Sequence, residues 1–168
     1  MTLTIRFISS EEEDFVLDVK VSDKNTFAEL HTIIRQTLSY SDALLSSFFI
    51  SNEHWEKMQE ITLVDMGENT FLMDKTKIGK FLTKRGQRVM YVFDYFTERL
   101  LFGTVVALSD TADIDTPIVE KMLGHVPPQM APDNDQFSDD QLFADDELPS
   151  EEFDPDELSD EIEGGYYE

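Results

Sequence analysis

Apolar and polar positions alternate along the first 22 residues of the chain. Leu3, Ile5 and Phe7 alternate with polar neighbours, and the stretch from Phe15 to Val21 repeats the same two-residue period after the polar run SSEEED. A period of two residues is typical of a strand with one buried face. The pattern therefore predicts a β-hairpin at the start of the chain.

A helical period follows this hairpin. Thr26 and Glu29 have the spacing of a capping box, which predicts a helix that begins there. Apolar or small residues then recur on one face of that helix, at Phe27, Leu30, Ile34, Thr37 and Leu38. An amphipathic helix buries its apolar stripe, so we expect this face to pack on the hairpin.

Short apolar runs predict the remaining strands. LLSSFFIS indicates a third strand and QEITLVD a short fourth. RVMYVFDYF and RLLFGTVVAL give the strongest strand signals, and only a few residues separate them. Both runs carry apolar residues on both faces, so this hairpin is expected in the centre of a mixed sheet.

A short second helix is predicted before the central hairpin. Thr76 is its expected cap and Gly86 its exit, and its apolar residues are Ile78, Phe81 and Leu82. Farther on, VEKML predicts one or two helical turns inside a linker. The order of the elements indicates an α+β domain.

Acidic residues are concentrated at the C-terminal end of the chain. The 168 residues have a formal net charge of −23, and residues 131–168 hold 16 acids and no base. Such a segment buries too little apolar surface to offset its ordering entropy. We therefore divide the chain into a domain at residues 1–108, a linker at 109–130 and a disordered acidic tail at 131–168.

Several classes of protein are excluded by composition. The chain has no cysteine, which excludes disulfides, thiol catalysis and thiolate-bound zinc. No apolar run approaches the roughly 18 residues of a membrane span, and we expect no signal peptide, because a strand-like run follows Met1 directly. We expect a cytoplasmic protein that does not associate with a membrane.

Known catalytic and metal-binding motifs are absent from the sequence, including phosphate-binding loops and zinc-protease motifs. Residues 133–135 begin like a calcium-binding loop, but Ser138 and Ala144 occupy the positions of its glycine and its bidentate glutamate. We expect neither a cofactor nor a metal site. His31 is expected to pack or to form a hydrogen bond at the boundary of its helix face.

One group of residues indicates a cleft beside the central hairpin, namely His54, Trp55, Asp94, Glu98 and Arg99. An enzyme or a small-ligand-binding domain that uses this cleft is our second functional hypothesis. Trp55 is the only tryptophan, and the alternative interpretation places it at the edge of the core.

The run KTKIGKFLTKRGQR contains no acid and holds six bases: Lys75, Lys77, Lys80, Lys84, Arg85 and Arg88. It is either a solvated face or an anion-binding patch. We do not expect nucleic acid as the partner, because the domain and the tail are both negative and repel phosphate. A third interpretation has the acidic tail docked on this patch.

The tail repeats the phrase F-x-x-D-[QE]-L three times, bounded by Phe137 and Leu142, Phe143 and Leu148, and Phe153 and Leu158. Aromatic and leucine residues among carboxylates are typical of disordered interaction segments, although acidic low complexity also produces such repeats by chance. Our leading hypothesis is a non-enzymatic interaction protein. Its tail binds a protein partner or docks on the bases of its own domain. Mimicry of nucleic acid by the tail is the third hypothesis.

The domain resembles the plasmid pRiA4b Orf-three-like family, small bacterial proteins often carried by plasmids and insertion elements. The resemblance rests on Ala28–His31 with Ile34, on Phe48–Ile50 and on Phe93–Tyr95, and it spans about Thr2 to Leu108. It implies an α+β fold without an established activity.

The chain departs from this family after Asp94. Hairpins of the family commonly continue with Gly, Asp, Trp and His, and the matching positions here are Phe96, Thr97, Arg99 and Leu101. The resemblance therefore does not imply a polar or metal-linked site at this turn. A resolvase-like label borne by some relatives also lacks support, because no serine nucleophile stands among the arginines.

Overall fold

The computed structural model describes residues 1–110 and 113–130, which lie in the first of two units, Met1–Pro132 and Asp133–Glu168. The elements in chain order are β1 (Thr2–Ser9), β2 (Val16–Ser22), α1 (Phe27–Thr37), β3 (Ser47–Ser51), β4 (Lys57–Thr62), β5 (Thr70–Leu72), two 3₁₀ turns (Met73–Lys75 and Ile78–Lys80), β6 (Arg88–Asp94), β7 (Arg99–Ser109) and β8 (Ile118–Leu123).

All eight strands belong to one sheet, in the order β5-β4-β3-β6-β7-β1-β2-β8. The sheet is mixed, because β4 and β5 are parallel and the other pairs are antiparallel. The predicted α+β class is confirmed. The first hairpin and the central position of β6 and β7 also agree with the sequence.

Helix α1 begins at the predicted capping box. The hydroxyl of Thr26 accepts from the backbone N–H of Glu29 at 3.2 Å, and the Glu29 carboxylate accepts from the Thr26 N–H at 2.7 Å. Phe27, Leu30 and Ile34 are fully buried, and the Phe27 ring lies 5.3 Å from that of Phe48. The helix therefore covers the sheet face that carries Phe48, and the core lies between them.

The predicted second helix is wrong, because the structure has only two 3₁₀ turns in that region. The Thr76 hydroxyl donates to the carbonyl of Leu72 and does not cap the second 3₁₀ turn. The N–H groups of Ile78 and Gly79 donate to carbonyls that precede α1, at 2.8 and 2.9 Å. These tertiary hydrogen bonds hold the first residues of the second turn, and the local bonds end with that from Leu82 N–H to the Ile78 carbonyl.

The prediction of helical turns in VEKML is also wrong, because this run forms most of β8. Val119 pairs with Val19 of β2, so the partner that decides its conformation lies about a hundred residues away. Strand β5 was not predicted. It has only three residues, which is too short for a periodic signal.

The two rims of the sheet are both interrupted. Strand β5 has three residues, and the pairing of β8 with β2 shifts its register between Asp18 and Val19. Over the ranges that the structure describes, no helix is long and apolar enough to cross a membrane.

Candidate functional site

Two members of the predicted cleft lie on opposite faces of the sheet. Side chains alternate along a strand, and the pairing of β6 with β7 sets Phe93 and Phe102 on different faces. The Trp55 ring meets Phe102 edge-on at 5.0 Å, whereas the Arg99 guanidinium lies over Phe93 at 5.1 Å. Trp55 and Arg99 therefore do not converge on one ligand.

Asp94 is occupied by the turn that joins β6 to β7. Its carboxylate accepts from the N–H groups of Phe96 and Thr97 at 3.2 and 3.4 Å, and from the Thr97 hydroxyl at 2.6 Å. The side chain is buried. These bonds assign Asp94 a role in the turn.

His54 and Glu98 are exposed and pair with other residues. His54 lies 3.6 Å from Glu53, and Glu98 lies 3.6 Å from Lys57. A cavity of about 70 Å³ lies beside this hairpin, lined by Phe49, Lys57, Val92, Tyr95 and Glu98. Glu98 alone of the five predicted cleft residues reaches it.

Arg99 anchors the segment that follows β8. Its guanidinium forms a bidentate pair with Glu11 at 2.9 and 3.1 Å. It also donates to the carbonyls of Gln129, at 2.8 Å, and of Pro128. We call residues 125–130 the strap. Because only 10% of the Arg99 side chain is exposed, this is the most enclosed cation that pairs with a carboxylate among the described residues.

The strap has further hydrogen bonds to the start of the loop after α1. The hydroxyl of Tyr40 donates to the carbonyl of Pro127 at 2.5 Å, and burial raises the Tyr40 pKa, which keeps the phenol protonated. The side-chain amide of Gln129 accepts from the Ser41 N–H at 2.6 Å and donates to the Ser41 carbonyl at 2.8 Å. The strap is therefore held along its length.

Gly124 and His125, where the strap begins, contact Asp14 in the loop between β1 and β2. Gly124 has a φ of +79°, and a Cβ there would lie 2.1 Å from the carbonyl oxygen of Asp14. His125 follows, and its backbone N–H donates to Asp14 Oδ1 at 3.1 Å while its Nδ1 lies 2.7 Å from Oδ2. This pairing raises the pKa of His125 and lowers that of Asp14.

Glu12 completes a cluster with this pair. One donor atom each from Glu12, Asp14 and His125 lies within 4.8 Å of the others. Sequence reasoning missed this cluster, because 111 residues separate Asp14 from His125 and no motif spacing joins them. The only local signal is the glycine that precedes His125.

The base-rich segment, Lys75–Arg88, meets no acidic partner within the part of the chain that the structure describes. Within residues 1–110 and 113–130, the bases that pair with carboxylates are Arg6, Lys20, Lys24, Lys57 and Arg99, and none belongs to this segment. Lys80 Nζ lies over the rings of Phe71 and Phe81 at 4.1 and 5.8 Å. Arg88 lies over the Trp55 ring at 4.6 Å. The other four bases of the segment are exposed.

His31 is buried and forms a hydrogen bond, as one of its predicted roles requires. Its Nδ1 lies 2.9 Å from the hydroxyl of Tyr91, and burial together with nearby Arg35 lowers the His31 pKa to about 4. Burial also raises the pKa of Tyr91. Because both side chains are neutral and buried, the hydrogen bond between His31 and Tyr91 has a structural role.

The three F-x-x-D-[QE]-L phrases and the calcium-like run lie outside the described residues. Their predicted roles stay predictions.

Comparison with known proteins identifies the family of this chain. The family model described as plasmid pRiA4b ORF-3-like protein matches residues 3–139. The match continues past Leu108, where the sequence resemblance was expected to end, so that limit was too short. A search of curated proteins found no match.

A similar fold occurs in a solved structure. It is the crystal structure of the protein of unknown function MM3350 from Methanosarcina mazei Go1, with a TM-score of 0.54 and 15% sequence identity. The alignment covers 72% of this chain and 68% of that one. At this identity the likeness concerns the fold alone.

Proposed function

We propose that this chain, which belongs to the plasmid pRiA4b ORF-3-like family, is a non-enzymatic binding protein that takes a carboxylate-rich segment of a protein on its base-rich segment. The observation that carries this proposal is the absence of acidic partners for the six bases within the described residues. Their charges remain available to a ligand.

The surface chemistry of the segment supports a peptide as ligand. Lys80 is held over two aromatic rings, so its position is partly fixed before any ligand arrives. Lys77, Lys84 and Arg85 are exposed beside it along the chain. Each exposed ion pair contributes only about 0.2–1 kcal/mol, and several bases together are needed for a measurable affinity.

The charge of the whole chain favours carboxylates over nucleic acid. The formal net charge is −23, and duplex DNA, with one negative charge per roughly 1.7 Å, is repelled more strongly than a short acidic peptide. Residues 131–168 of the same chain also hold 16 carboxylates. Docking of these tethered carboxylates on the same bases is the alternative, and it would weaken the binding of a free peptide.

Fluorescence anisotropy tests this proposal. A labelled synthetic peptide with the sequence of residues 137–158 is titrated with the full chain and with a Lys84→Glu/Arg85→Glu double variant. We expect the double variant to bind about ten-fold more weakly, and salt to weaken the wild-type complex, because exposed charges are screened.

The matched control is Lys20→Glu/Lys24→Glu, which makes the same change of net charge at two bases that pair with carboxylates. Equal affinities of the two double variants would refute a specific patch. A labelled DNA duplex forms a second arm of the experiment. If it binds more tightly than the peptide and depends on Lys84 and Arg85, the ligand class is wrong.

A further inference from the structure

We propose that Glu12, Asp14 and His125 form a binding site for a divalent transition-metal ion, with zinc as its representative. Sequence alone led us to expect no metal site. The structure brings one imidazole and two carboxylates together, with one donor atom of each within 4.8 Å of the others.

The spacing of these donors is close to what one ion requires. Zinc binds imidazole nitrogen at about 2.0–2.1 Å and carboxylate oxygen at about 2.0–2.2 Å in a tetrahedral arrangement, so two donors on one ion lie about 3.4 Å apart. Asp14 and His125 are exposed and Glu12 is half-buried. To close the site, the Asp14 and His125 donors, now 2.7 Å apart, would separate slightly, and the Glu12 carboxylate would move inward by up to about 1.4 Å.

Backbone packing fixes the approach of the two chain segments. Gly124 lies so close to the Asp14 carbonyl that no side chain fits between them. The His125 N–H donates a hydrogen bond to Asp14 Oδ1, and Asp14 Oδ2 lies 2.7 Å from Nδ1 of the imidazole. An ion bound here would replace the proton that Nδ1 and Oδ2 share, and Glu12 would supply the third donor.

The mixed donor set also selects a class of metal. Magnesium and calcium prefer oxygen ligands alone, whereas imidazole suits zinc, copper, iron and nickel. Three protein donors would leave at least one coordination position for water. The ion would join the hairpin loop to the strap at the point where the strap begins.

Isothermal titration calorimetry with zinc chloride tests the site in the full chain. Excess magnesium is present throughout, because the carboxylates of residues 131–168 also attract divalent ions. We expect one zinc ion per chain and at least a ten-fold loss of affinity in both Glu12→Gln and His125→Gln.

Glu12→Gln is the decisive variant, because it leaves the Asp14–His125 hydrogen bonds and therefore the strap in place. The matched control is His54→Gln, which removes another exposed histidine beside a carboxylate. Near-UV circular dichroism verifies that each variant is folded. Unchanged zinc affinity in Glu12→Gln overturns the three-donor site, and so does an equal loss of affinity in His54→Gln.

Discussion

At the strap, Arg99 reaches Glu11 and two backbone carbonyls, whereas the bases of the base-rich segment meet no carboxylate among the described residues. Both regions contain strong cations. In the first, the cation is enclosed, and all three of its guanidinium nitrogens donate hydrogen bonds, which is how charge stabilises a fold. In the second, Lys80 and Arg88 lie over aromatic rings, and the other four bases are exposed to solvent. A base that pairs with a carboxylate therefore contributes to the fold, whereas a base without such a partner can bind a ligand.

Among substitutions that test this difference, we expect the largest change in the free energy of unfolding at Gly124. Gly124→Ala adds a Cβ 2.1 Å from the Asp14 carbonyl at a φ of +79°, so the start of the strap must move. We expect a loss of about 2–4 kcal/mol in the free energy of unfolding, measured by denaturant titration.

Gly86 in the base-rich segment is the matched control for that substitution. Its φ is +89°, and a Cβ there meets no atom within 4 Å. Gly86→Ala therefore adds backbone strain alone, about 1 kcal/mol. Equal losses at the two glycines would show that the strap can shift without cost.

A smaller loss in the free energy of unfolding is expected when Arg99 is replaced. Arg99→Leu leaves Glu11 and two strap carbonyls without their donor, and Glu11 retains some access to water. We expect a loss of about 2 kcal/mol by denaturant titration. Lys24→Met breaks an exposed pair with Asp113 and should change stability by less than about 0.5 kcal/mol. Similar values for the two variants would contradict the distinction.

The smallest effect is expected in the base-rich segment. Lys84→Gln/Arg85→Gln removes two exposed charges that have no acidic partner among the described residues. The free energy of unfolding should change by less than about 0.5 kcal/mol in the same titration. A loss above roughly 1 kcal/mol would assign these bases to the fold and remove the basis of the binding proposal.

The predictability of each element follows the range of the interactions that decide it. The first hairpin and α1 were predictable because a two-residue period and the Thr26–Glu29 box are local signals. The conformation of VEKML depends on pairing with β2, and the second 3₁₀ turn donates to the carbonyls of Asp23 and Asn25. Local propensity carries no information about these distant partners.

The candidate site was less predictable than the fold. The base-rich segment was visible because its six bases all fall in the run KTKIGKFLTKRGQR, which contains no acid. Arg99 was singled out, but its ligands are Glu11 and the strap, which no spacing rule connects to it. The same holds for Asp14 and His125. Composition reveals a run of charges, whereas pairing between distant residues requires the folded chain.

The irregular edge strands of the sheet, β5 and β8, affect the tendency of the protein to aggregate at high concentration. An exposed strand edge is a template on which further chains can add, and β8 carries exposed Ile118, Met122 and Leu123. Its shifted register and the three-residue length of β5 deny an incoming strand a regular ladder of hydrogen bonds. Both features therefore disfavour edge-to-edge association of the described sheet, although β8 exposes apolar side chains.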